Sequence, residues 1–130
     1  MRQQTGFTLV ELLISVVIIG VLSAVAYPSY VKHVYKARRA DGLSAIMDMA
    51  QRLERCKTTT FSYAGCIDDG EYSTEGYYYL TLPADELSAT AYQIQAEPQG
   101  AQAEDDCGTL KMSESGKKYA LGSADVDDCW

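Results

Sequence analysis

The sequence is poor in the groups that most enzymes work with. Its only histidine is His33, which leaves little for acid–base chemistry near neutral pH. There is no Gly-x-Ser-x-Gly, no His-Glu-x-x-His and no P-loop, so acyl hydrolysis, zinc proteolysis and nucleotide binding lack their usual anchors. The four cysteines, Cys56, Cys66, Cys107 and Cys129, form no Cys-x-x-Cys pair, and with a single histidine a zinc site is not expected. Asp125, Asp127 and Asp128 could hold calcium but match no EF-hand loop, and a solvated acidic tail is the simpler reading. Neither catalysis nor a metal or cofactor is therefore expected. No internal repeat and no low-complexity segment is present.

Basic residues are scarce in the second part of the chain. Up to Thr58 there are eight Lys/Arg against four Asp/Glu; from Thr59 onward there are three against fourteen. An acidic surface favours solubility and argues against direct nucleic-acid binding, which needs clustered Lys and Arg. Lys32, His33, Lys36, Arg38 and Arg39 do cluster, but just after an apolar run. There they read as the water-facing flank of a membrane segment, near anionic headgroups.

That apolar run is the main feature. Hydrophobic residues make up 47% of the chain but are not spread evenly: the 21 residues from Phe7 to Tyr27, FTLVELLISVVIIGVLSAVAY, are nearly all apolar. As a helix the run would span roughly 30 Å, the thickness of a hydrocarbon core. A permanent anchor, a cleaved signal peptide and a segment that leaves the membrane for a protein core all fit this length. Ala24-Val25-Ala26 resembles a signal-peptidase site. Glu11 points the other way, because a carboxylate in such a run costs about 2.5–3.5 kcal/mol at a helix centre, less near an end. A charge placed there needs a partner.

Gly6-Phe7-Thr8-Leu9-Val10-Glu11-Leu12 resembles the cleavage and N-methylation signature of type IV prepilins. The resemblance implies a leader from Met1 to Gly6, with Arg2 its only charged side chain, and a cut after Gly6 by an inner-membrane prepilin peptidase. Phe7 would then carry the methylated amine. Glu11 would pair with the N-terminal amine of an adjacent subunit and set the axial register; contact with its own N-terminus is the alternative. Gly20 and Pro28 bracket a stretch that is often extended in the family's fibres. Proline should kink or locally open a helix there.

The remainder reads as an α+β head. Tyr30 to about Arg55 is amphipathic, with Leu43, Ile46, Met47, Ala50 and Leu53 on one face. Thr58-Thr59-Thr60 should break the helix, and residues 57–75 read as a connecting loop. Tyr77–Leu82, Ala91–Ala96 and Thr109–Met112 alternate as strands, with Tyr78, Leu80, Leu82, Tyr92, Ile94, Ala96, Leu110 and Met112 facing inward. A three-stranded antiparallel meander packed on the stem helix is the expected head. An even number of cysteines in an exported chain favours disulfides. Of three possible pairings the local one is expected, Cys56–Cys66 and Cys107–Cys129, the second like the family's C-terminal disulfide-bounded loop.

Arg52-Leu53-Glu54-Arg55-Cys56, Gly-Ala-Gln-Ala at 100–103, Cys107-Gly108-Thr109-Leu110 and Asp128-Cys129-Trp130 resemble type IVa minor pilins of the PilE group. The organisation implied is a leader at 1–6, an apolar membrane and fibre-core helix at 7–28, and a head at 29–130. The implied partners are other pilin subunits, prepilin peptidase and, before assembly, the inner membrane. A Gram-negative source, with the head in the periplasm and later on an extracellular pilus, follows from the same resemblance. A major pilin and a type II secretion pseudopilin remain as alternatives.

Overall fold

The computed structural model describes residues 6–68 and 70–130. Met1 to Thr5 of the expected leader, Arg2 included, lie outside the described residues. The chain divides into two compact units, meeting between Val34 and Tyr35, and each is described by itself.

In the first unit the helix α1 begins; it spans Leu9–Thr60. A helix satisfies backbone polar groups within one segment, which a run this apolar must do almost entirely without side-chain help. The assignment continues through Gly20 and Pro28, so no opened stretch is present between them. Pro28 cannot donate the bond its own N–H would have made and crowds the preceding turn, but the helix runs on past it.

The second unit, Tyr35–Trp130, holds the rest of α1 and an antiparallel sheet. The helix was expected to end near Arg55 and instead reaches Thr60. Thr58, Thr59 and Thr60 do not break it because their hydroxyls turn back onto the helix. They donate to the carbonyls of Arg55, Cys56 and Cys56 at 2.6, 2.8 and 3.0 Å, a tolerated arrangement for threonine. Phe61 then takes a left-handed conformation, φ 59°, and its N–H donates to the Lys57 carbonyl at 2.8 Å, closing the helix end.

Five strands follow rather than three: β1 (Glu71–Tyr72), β2 (Tyr78–Thr81), β3 (Gln93–Pro98), β4 (Leu110–Ser113) and β5 (Lys118–Ala120), in the spatial order β1-β2-β3-β4-β5. The central three are those expected, with boundaries shifted by one or two residues. The expected loop over 57–75 contains the end of α1 and all of β1. The two edges carry no readable alternation: β1 is two residues long, and β5 opens on a lysine. β1 is held from the helix, since the Arg52 guanidinium ion-pairs with Glu71 and lies 3.0 Å from Asp48. Asp41 does the same for the β1–β2 turn, accepting from Ser73 Oγ at 2.5 Å and from Glu75 N–H at 3.1 Å. A short 3-10 helix at Gly100–Glu104 and a final turn of helix, α2 (Val126–Cys129), complete the unit.

The core lies between α1 and the inner face of the sheet. An inward row crosses four strands through the pairs Leu80↔Ala96, Ala96↔Leu110 and Leu110↔Ala120. The helix contributes Gly42, Ile46, Met49, Ala50 and Leu53. Here the structure corrects the expected stripe: Met49 is fully buried and Met47 is 41% exposed. The true spacing is four-three-four from Gly42, and the glycine hid its start. Ile46, Met49 and Leu53, all at 0% exposure, each contribute about 1.5–3 kcal/mol by leaving water.

Candidate functional site

At the start of α1 two side chains serve each other. The Glu11 N–H donates to Thr8 Oγ1 at 3.2 Å, and the Thr8 N–H reaches Glu11 Oε2 at 3.5 Å. This is a capping box: two helix-end donors are satisfied reciprocally, with the carboxylate at the positive end of the dipole. Thr-x-x-Glu before an apolar run spells the motif, and sequence reasoning fixed on Glu11 and overlooked Thr8. With the Gly6–Phe7 bond intact, the Phe7 nitrogen is an amide and carries no charge. In this state Glu11 therefore contacts its own N-terminal turn.

The surface around that carboxylate is apolar throughout. Every large apolar side chain from Phe7 to Val25 is more than half exposed, Phe7 most of all at 87%. An 18-residue window of α1 has mean hydropathy 2.7 and no buried residue, so the helix is long and apolar enough to cross a membrane. A contiguous exposed patch of this size marks a surface that is covered by a membrane or a protein partner. At Gly6 and Gly20 a Cβ would meet nothing within 4 Å, so packing within the chain does not require glycine at either position. Gly6 and Phe7 precede the helix, while Gly20 and Pro28 lie inside it.

In the second unit two polar clusters are built against α1. Arg39 and Arg38 were expected to face headgroups, and the structure turns them onto the head instead. Arg39 Nε lies 2.8 Å from Asp105 Oδ2, an ion pair although the N–H is not aimed for a hydrogen bond, and Arg39 Nη1 donates to the Asp128 carbonyl at 2.8 Å. Arg38 sits 4.8 Å above the Tyr77 ring. Gln102, fully buried, donates through Nε2 to the Tyr78 hydroxyl, Asp105 Oδ2 and the Tyr35 carbonyl at 3.1–3.2 Å. Burial pushes the Tyr78 hydroxyl up to about 12, opposed by the Gln102 bond and reinforced by the Asp105 charge.

The other cluster joins Glu54 to two tyrosines. Its Oε1 accepts from Tyr63 at 2.7 Å and from Tyr92 at 3.4 Å, and the rings meet edge-on at 4.7 Å. Burial and then the Glu54 charge raise Tyr92 to about 12; burial and the hydrogen bond to Glu54 raise Tyr63. Both clusters brace the head, and neither pairs a nucleophile with a base in an open cleft. Sequence reasoning picked out Gln102 only as part of the Gly-Ala-Gln-Ala stretch and missed its contacts and those of both tyrosines, since no local pattern reports pairs 9 to 67 residues apart.

Cys56 is bonded to Cys66 and Cys107 to Cys129, with Cα separations of 5.9 and 5.7 Å. The second bond, with Arg39, holds α2 and Trp130, whose indole N–H donates to the Tyr119 carbonyl at 3.1 Å. Among the described residues no group of three or more His, Cys, Asp or Glu, the Asp125, Asp127 and Asp128 set included, could hold a metal ion. All three basic residues after Thr59 lie on the β4–β5 hairpin: Lys111, Lys117 and Lys118. Lys117 and Lys118 stand over the Tyr119 and Trp130 rings at 5.2 and 5.3 Å.

Comparison with known proteins covers both units. A family model described as the prokaryotic N-terminal methylation motif matches residues 1–27, and one described as type IV minor pilin ComP, DNA uptake sequence receptor, matches residues 28–111. A type IV major fimbrial protein FimA of Dichelobacter nodosus is 32% identical over 126 residues, covering 92% of this chain and 72% of the relative. A fimbrial protein of Moraxella nonliquefaciens is 35% identical over 71 residues, and a second FimA is 35% identical over 79. The chain spans 44% and 49% of the length of these last two. Among solved structures, a type IV pilin from Shewanella oneidensis superposes with a TM-score of 0.55 at 26% identity, covering 74% of this chain and 97% of that one.

Proposed function

The chain belongs to the type IV pilin family, and on that premise we propose that it is a structural subunit of a type IV pilus, without enzymatic activity. Prepilin peptidase cuts after Gly6 and methylates Phe7. The segment 7–28 then holds the subunit in the inner membrane of a Gram-negative cell, with the head, 29–130, in the periplasm, until assembly moves it into an extracellular fibre. The observation that carries this reading is the lone carboxylate, Glu11, capped by Thr8 at the head of a continuous exposed apolar surface.

Cleavage changes what Glu11 can do. The cut creates a positive amine at Phe7, and in a low-dielectric fibre core neither charge can stay unpaired without a penalty of several kcal/mol. The capping contact is long at 3.5 Å and gives way to the stronger charge-assisted bond with the amine of an adjacent subunit. Gly20 and Pro28 allow the intervening helix to open when the subunit enters the fibre. Glu11→Val tests the pairing: the variant should insert in the inner membrane normally and appear in sheared fibres at a level reduced roughly tenfold or more. Normal incorporation would exclude it.

A minor subunit is the preferred role, supported by the match to a minor-pilin model over most of the head. The relatives named major fimbrial proteins favour a major subunit, and the ratio of this chain to other pilins in sheared fibres separates the two. Loss of protein secretion with intact fibres on gene deletion would instead favour a pseudopilin. Adhesion, twitching and DNA uptake are the activities such a fibre serves. The matched model's name raises direct DNA binding, and the hairpin lysines are where it would occur. Three phosphate contacts on an acidic head would give weak binding with a log–log salt slope of only about −3, so direct nucleic-acid capture is not the preferred role.

A further inference from the structure

Phe7 and Phe61 are the only phenylalanines in the chain and, among the described residues, the two most exposed large apolar side chains, at 87% and 84%. Phe7 belongs to the apolar segment; Phe61 belongs to the head, where phenylalanine is usually interior. It is also the only non-glycine residue with positive φ among the described residues, at 59°. The position is the one just past a helix end, where glycine or asparagine is favoured because a Cβ is strained there. The backbone on either side is pinned. Phe61 N–H bonds the Lys57 carbonyl at 2.8 Å, Thr60 Oγ1 reaches the Cys56 and Ser62 carbonyls at 3.0 and 2.9 Å, and the Cys56–Cys66 bond closes the loop around it. The left-handed turn itself closes the helix, and glycine would close it without strain; it is the outward ring from which the head gains nothing. A bulky side chain kept at a strained position that does not need it points to a contact made elsewhere.

We propose that Phe61 is a contact residue for a neighbouring pilin subunit in the assembled fibre. This rests on the reading of the chain as a fibre subunit. One ring buries about 150–250 Å², far below the roughly 1,200 Å² of a stable interface, so Phe61 cannot recruit a partner alone. The partner has to be held already, and the exposed apolar segment is the surface able to hold a second pilin. Phe61 adds specificity to that contact as an aromatic anchor.

The test uses the full-length chain, with Phe61→Gly, Phe61→Asn and Phe61→Tyr expressed in cells that assemble the fibre. Purified in detergent, the Gly variant should melt roughly 2–8 °C above the wild type as the strain is relieved. In sheared fibres the Gly and Asn variants should fall about tenfold and the Tyr variant less than about twofold. Gly and Asn variants that incorporate like the wild type overturn the proposal, as does a Gly variant that melts lower. Variants lost from the membrane fraction rather than from fibres would assign Phe61 to lipid and overturn it too. If the wild-type chain is itself missing from fibres, the subunit reading fails, and this proposal with it.

Discussion

Removing the Arg39 guanidinium would strand a carboxylate. Asp105 is 7% exposed and loses the one cation paired with it among the described residues, while the Asp128 carbonyl loses a donor. Breaking a buried pair from one side costs about 3–5 kcal/mol, most of it from the charge left behind. Arg39→Ala should therefore lower the melting temperature by more than about 10 °C. Adding Asp105→Ala should restore part of the loss, because the stranded charge is then gone. A double variant no more stable than the single one would show that Arg39 acts through packing alone. The same asymmetry explains why sequence reasoning misplaced this residue. A basic cluster after an apolar run suggests headgroups, and only the fold brings Asp105 to it from 66 positions away in sequence.

At the scale of elements, the packing of α1 on the sheet rests on a missing side chain. A Cβ on Gly42 would lie 2.6 Å from the Tyr78 ring. Replacing glycine by alanine inside a helix ordinarily gains about 1 kcal/mol, whereas forcing a methyl into a packed core costs about 1–3 kcal/mol. Tyr78 is fully buried and hydrogen-bonded to Gln102, so it cannot swing away and the overpacking wins. Gly42→Ala should lower the denaturant midpoint with little change in slope, and a raised midpoint would refute this account. Elements with a dense local signal were legible: the apolar half of α1 and the alternating β2, β3 and β4. Met47 was mistaken for Met49 because a helical stripe was counted from Leu43 rather than from the unseen contact at Gly42. β1 and β5 were missed because what holds them, Arg52 on Glu71 and pairing to β4, lies outside their own residues. In the site, Glu11 stood out as a charge in an apolar run, while Phe61 gave no signal because backbone strain does not show in composition.

For the whole molecule, three tyrosines link stability to alkaline pH. Tyr78 and Tyr92 lie at about 12 and Tyr63 is also raised above the ordinary 10.0. The folded state holds these protons more tightly than the unfolded chain does. Their contribution is complete below pH 10 and is lost as pH rises toward 12. Melting temperatures should hold level up to that window and fall through it, and Tyr92→Phe should flatten the fall; a decline already complete below pH 10 would point to other groups. The order of the disulfides has a further consequence for biogenesis. Cys56 joins the next cysteine in the chain and Cys107 joins the one after it, so the two covalent loops neither nest nor cross. For a head threaded into an oxidising compartment from its membrane-proximal end, the first cysteine of each pair finds its proper mate in the next to arrive. Oxidation in order of emergence yields the native bonds, and maturation needs a thiol oxidase but no isomerase to unscramble them.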